Sequence, residues 1–190
     1  MKQLIMETRS IFQGINRITK PLSSVPKRER TKLTGALAIE AVRHQLLKSG
    51  FTVSGRDVFI GGIPTEFDTL VVRPTAKPAF GIVYNPSDVA ALLEIKFSGA
   101  YSQQVLPHLR QLFDRVNRAH PHIQCIYVTV CERRTYKYRI TSKALGWPSF
   151  TLNWWTDYKN SDVCPGDAFE EVVTCIHSAL SKAEGSVVEK

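Results

Sequence analysis

The sequence predicts an α/β domain, a mixed central β-sheet flanked by helices. Three features lead to it. Short β-like runs follow one another between residues 51 and 97, amphipathic helical patterns lie on either side of them, and "VAALLEIKF" at 89–97 is apolar on both faces for most of its length. A strand of that last kind is normally central and covered twice. The 190 residues read as a single domain, 1–190, long enough to bury roughly two thirds of the unfolded surface. With 43% apolar and 22% charged residues, the composition excludes long disorder.

Leu4, Ile5, Ile11, Ile15 and Ile18 recur at helical spacing and predict a first helix ending before Pro21. "KPLSSVPKRERTK" then reads as a basic linker, so residues 1–29 form an N-terminal helix and linker. A second helix is expected from about Thr31 to Ser49, through Leu33, Ala36, Leu37, Val42, Leu46 and Leu47, with Gly50 in the left-handed cap position. Strands are expected at "FTV", "RDVFIGG" and "FDTLVV". Beyond the proline-containing loop "RPTAKPAFGIVYNPSD" comes the strand "VAALLEIKF". "SQQVLPHLRQLFDRVNRAH" is helical, with Pro107 suited to a first turn or a kink. "IQCIYVTVCE" and "SFTLNWW" read as strands, and "DAFEEVVTCIHSALSKA" as a closing helix. A core at 30–135 is thus followed by a strand-and-helix extension at 136–190.

The net charge of +8 is unevenly spread. Residues 1–34 hold eight basic and two acidic side chains, and so do residues 98–143, whereas the rest of the chain is net acidic. Two basic zones around an acidic middle suit a polyanion held by its backbone near a carboxylate site, or else a basic surface that only faces water. The basic side chains concerned are Lys27, Arg28 and Arg30 in the first zone. In the second they are Arg133, Arg134, Lys137 and Arg139, interleaved with Tyr136 and Tyr138. Gln103 and Gln104 open the helix after residue 97, where a polar side chain reaches a cleft or solvent.

Cys125, Cys131, Cys164 and Cys175 form no CxxC pair and lack histidines at zinc-finger spacing, so reduced, structural thiols are expected. There is neither an 18-residue apolar run nor the apolar core of a signal peptide, which leads to the expectation of a cytoplasmic protein without membrane association.

The carboxylates carry the functional signal. In a strand, residues two apart share a face, so Glu94 and Lys96 lie together at the end of an otherwise apolar run. Asp68 stands on the same face as Glu66, Leu70 and Val72 of "TEFDTLVV", although Asp is disfavoured in strands. Glu40 falls seven residues from both Leu33 and Leu47, on an apolar stripe of the second helix. Buried acids need a partner or a metal.

The ordered set of Glu40 on a helix, Asp68 on a strand and Glu94-Ile95-Lys96 on the next strand resembles the PD-(D/E)XK superfamily of restriction-endonuclease-like nucleases. The resemblance covers about residues 30–135 and includes the αβββαβ element order. The proline often found before that family's aspartate is absent here, because Phe67 precedes Asp68. The resemblance implies an endonuclease hydrolysing phosphodiester bonds in DNA. Asp68 and Glu94 would be ligands of Mg²⁺, or of Mn²⁺ in its place. Lys96 would be the catalytic partner of the attacking water, and Glu40 an outer or second-metal acid, a place for which Glu66 competes. Such chemistry needs a water made nucleophilic and a phosphate whose growing negative charge is neutralised. The resemblance also implies a restriction, defence or mobile-element role and, because family members often cut both strands, a homodimer. The alternatives are a junction-resolvase-like repair nuclease and a non-catalytic nucleic-acid-binding module.

Overall fold

The computed structural model describes residues 2–98, 105–133, 145–157 and 162–185. Among the described residues four helices, α1 (Lys2–Thr19), α2 (Lys27–Lys48), α3 (Val105–Ala119) and α4 (Phe169–Gly185), accompany ten strands. These are β1 (Val58–Ile60), β2 (Ile63–Phe67), β3 (Thr69–Val72), β4 (Val83–Tyr84), β5 (Val89–Lys96), β6 (Gln124–Thr129), β7 (Glu132–Arg133), β8 (Ser149–Thr151), β9 (Asn153–Asp157) and β10 (Asp162–Pro165).

The main sheet has the order β3-β5-β6-β8, with β3 antiparallel to β5 and the other neighbours parallel. β5 is its second strand, and seven of its eight residues are buried, because helices lie over one face and other elements over the opposite one. Ala91, Leu93 and Ile95 pack on one side with Phe12 and Ile15 of α1, with Ala38, Val42 and Leu46 of α2, and with Val172 and Ile176 of α4. Leu92 packs on the other with Leu109, Phe113 and Val116 of α3 and with Val58, Ile60 and Phe67 of a small sheet ordered β2-β1-β4. A third sheet, β10-β9-β7, adjoins α1. This is a mixed α/β fold with helices flanking the central sheet, as expected from the strand and helix patterns.

Local departures have identifiable causes. The expected basic linker is shorter than the sequence suggests. Lys20–Leu22 form a 3-10 turn, and α2 already begins at Lys27, because Pro26 with φ −51° offers a preset entry into a helix. Lys27, Arg28 and Arg30 therefore stand on the first turn of α2. The buried stripe of that helix is Ala38, Val42 and Leu46, whereas Leu33 and Leu47 are exposed. Glu40 is two residues, about 200° of helix, from both Ala38 and Val42, and so points away from the core. Gly50 does adopt the left-handed cap, with φ 88°. The proline-containing loop holds the short strand β4, which pairs in parallel with β1. "SFTLNWW" is two strands in two sheets, divided at Leu152. β10 was not apparent in the sequence, since its four residues include Asp162 and Pro165, which lack any β signature.

All four cysteines are free thiols. Burial pushes the Cys125 thiol up to about 12 and raises that of Cys131 further, which keeps both protonated and inert. No helix among the described residues is long and apolar enough to cross a membrane.

Candidate active site

Asp68 is the single residue between β2 and β3, and these two strands belong to different sheets. The chain bends there as it leaves the small sheet for the main one. That bend ends the face that Glu66 and Asp68 were expected to share. In the antiparallel ladder Thr69 stands opposite Leu93, so Asp68 arrives opposite Glu94. Side chains continue the pairing at this point. The Ile95 N–H donates to Asp68 Oδ2 at 2.7 Å, and the Glu94 carboxylate accepts a hydrogen bond from the Asp68 backbone. Lys96 Nζ lies 3.9 Å from Asp68 Oδ2 and 3.9 Å from Glu94 Oε2.

The electrostatics are unbalanced. Burial first, and then the neighbouring Asp68 charge, push Glu94 up to about 8, although Lys96 and the Asp68 backbone hydrogen bond pull the other way. Asp68 is also raised by burial, against the opposing effects of Lys96 and the Ile95 N–H. One ammonium does not neutralise two carboxylates at the mouth of a covered sheet. A divalent cation with a preference for carboxylate oxygen would supply the missing charge, so the donor set of Asp68 and Glu94 fits Mg²⁺ or Mn²⁺.

Glu40 does not join this pair in a three-carboxylate group; among the described residues no three acidic, histidine or cysteine side chains converge in that way. Its carboxylate, half exposed, is held instead by Arg43 at 2.6 Å and by Arg56 at 3.2 Å. Arg43 also donates through Nε to the Ser54 carbonyl at 2.9 Å, tying α2 to the segment that leads into β1. Glu66 is exposed on β2. It is raised by desolvation, then by a side-chain hydrogen bond that its protonated form donates to Asp57 and by that residue's charge.

Sequence reasoning missed Arg43, Arg56 and Asp57. The arginine at i+3 from Glu40 is a legible pairing signal. Asp57 gives none, because a left-handed residue with φ 55° before β1 brings it toward Glu66 and Asp68.

A groove of about 580 Å³ opens beside the cluster, between α1, the first half of α2 and the end of β5. Lys27 and Arg30 line it together with Asp68 and Lys96, so the first basic zone and the carboxylates meet there. Arg28 is exposed on the same turn of α2. Arg133 is exposed on β7, and Gln103, Gln104, Arg134, Lys137 and Arg139 lie outside the described residues.

No protein-family model matches the chain, and no curated protein does. Solved structures do. NucC of P. aeruginosa ATCC27853 in its cAAA-bound form is 11% identical and aligns over 98% of both chains with a TM-score of 0.62. The cAAA-bound form of NucC from E. coli MS115-1 is 12% identical, covers 97% of both chains and has a TM-score of 0.63. Its apo form is 14% identical, over 88% of this chain and 84% of that one, with a TM-score of 0.51. At these identities the likeness is one of fold, and it extends over nearly the whole chain.

Proposed function

We propose that the protein is a divalent-metal-dependent endonuclease that hydrolyses phosphodiester bonds in DNA and serves restriction or defence. The observation that carries this reading is the convergence of Asp68, Glu94 and Lys96 where β3 begins and β5 ends, with the ammonium 3.9 Å from each carboxylate.

Asp68 is oriented by the Ile95 N–H and would be one of the two carboxylates that hold the cation. A bound cation would favour the ionised form of Glu94, whose carboxyl is pushed up to about 8 by burial first and then by the Asp68 charge. Mg²⁺, or Mn²⁺ in its place, would be held by these two carboxylates and would lower the pKa of a coordinated water while drawing charge from the phosphate. Lys96 has 43% of its side chain exposed, so its ammonium can reach a water or a phosphate oxygen while remaining near both acids. It orients the nucleophile and neutralises charge that grows as the phosphorus becomes five-coordinate. Glu40 is the outer acid of the centre, positioned by Arg43 and Arg56 and acting on the site through them. Cutting both strands of a duplex takes two such centres, which makes an assembly of at least two copies part of the proposal.

The test is nicking and linearisation of supercoiled plasmid in Mg²⁺. Because two of the similar structures hold cAAA, the assay is run with and without that cyclic nucleotide. Asp68→Asn and Lys96→Met should each lower the rate by at least about 10²-fold. Cleavage by both variants at the wild-type rate overturns the assignment.

A further inference from the structure

The groove beside the acidic pair is lined by four cations and one carboxylate: Lys20, Lys27, Arg30 and Lys96 against Asp68. Such a surplus favours a polyanion. The groove also has aromatic walls. Phe97 is stacked on Phe12 with ring centres 6.0 Å apart, and Trp155 meets the same Phe12 edge-on at 4.7 Å. Phe12 is wholly buried, so Phe97 and Trp155, which both line the groove, are braced from behind by one fixed ring.

Cations and braced aromatic rings together match a nucleotide: phosphates for the first, base faces for the second. A base within a duplex keeps its faces stacked on its neighbours and cannot reach a ring inside a protein groove. The volume of about 580 Å³ lies within the range of small-ligand pockets, roughly 300–1,000 Å³.

We infer that this groove is a subsite for unpaired nucleotides adjoining the scissile phosphate. Lys20, Lys27 and Arg30 hold the backbone of a single strand, and Phe97 and Trp155 receive a base. The inference rests on the proposed nuclease reading, and it adds that the substrate presents a locally single-stranded segment, as at a frayed end, overhang or flap.

The test measures binding with metal chelated by EDTA, so it does not depend on catalysis. A fluorescein-labelled oligothymidylate of about twelve nucleotides, within the range of known single-strand sites, and a blunt duplex of about twenty base pairs are titrated by anisotropy. Wild type is compared with Lys27→Ala/Arg30→Ala, two side chains outside the core. The double variant should lose oligothymidylate affinity by about tenfold or more and duplex affinity by less than about threefold, with an unchanged far-UV spectrum and melting temperature. Equal losses for both ligands would make the groove a duplex-backbone contact and overturn the inference, as would unchanged oligothymidylate binding. Displacement of the oligothymidylate by an equal concentration of the dinucleotide ApA would identify a free-nucleotide site and overturn it too. If single-strand binding behaves as expected while plasmid is not cleaved, the nuclease reading fails and the subsite stands.

Discussion

Two carboxylate clusters lie near the groove, and they solve the same electrostatic problem in opposite ways. At Glu40 one half-exposed acid meets two guanidinium groups within 3.2 Å. At Asp68 and Glu94 two largely buried acids share one ammonium at 3.9 Å, and Glu94 is driven up to about 8. The first cluster is closed in that its one acid is paired on both sides, with cations in excess, and it braces α2 against the segment before β1. The second is short of positive charge, which is a property of a site and not of a brace. Burial makes the difference: exposed ion pairs contribute little either way, whereas buried carboxylates hold or lose their charge according to what is beside them.

The largest expected effect lies at the unbalanced cluster. Lys96→Ala and Glu94→Gln should each abolish at least about 99% of plasmid cleavage while circular dichroism stays native. If Glu40→Gln lost as much, the contrast between the clusters would collapse.

Next in size is a pH effect on stability. A carboxyl raised from 4.5 to about 8 in the folded state binds more protons there than in the unfolded chain over that interval. Stability is therefore complete below about pH 4.5 and is lost as pH rises toward 8. In EDTA, thermal melting of the wild type should fall across this window by more than that of Glu94→Gln. At pH 8 the variant should be the more stable by on the order of 4 kcal/mol. A variant that melts in parallel with wild type at every pH would show that Glu94 is not protonated in the metal-free protein.

Smaller effects belong to the closed cluster. Arg43→Ala removes a charge-assisted bond to the Ser54 carbonyl and should cost about 1–2 kcal/mol in denaturant unfolding. Glu40→Gln leaves both arginines with an acceptor and half of its own side chain in water, so it should cost less than about 1 kcal/mol. As the outer acid, Glu40 should affect cleavage by about tenfold or less, and a melting shift larger than that of Arg43→Ala would reverse the order of the two residues.

β5 was the most legible part of the molecule. Its unbroken apolar run identified a strand covered on both sides, and the charges at its tip fall where that cover ends. Glu40 was misread because seven-residue spacing from Leu33 and Leu47 fits a helical stripe equally well whichever stripe is buried. The neighbours of α2, in particular Phe12 and Val172, decide in favour of Ala38, Val42 and Leu46. β4, with two residues, is too short for a period-two pattern and is held in place by its pairing with β1.

The sequence by itself determined the α/β class, the doubly covered strand with Glu94 and Lys96 at its end, and the sign and zoning of the surface charge. All of these depend on local periodicity and composition, which chain neighbours suffice to express. Only the tertiary structure decided that Asp68 is a bend between two sheets and not a strand residue, that Glu40 is a braced exterior acid, and that Lys20, Lys27 and Arg30 share a groove with the acidic pair. Those outcomes depend on which elements meet in three dimensions, as Glu40 does with Arg56 and Lys27 with Asp68. Long-range pairing and burial choose among arrangements that the local pattern leaves equal in energy.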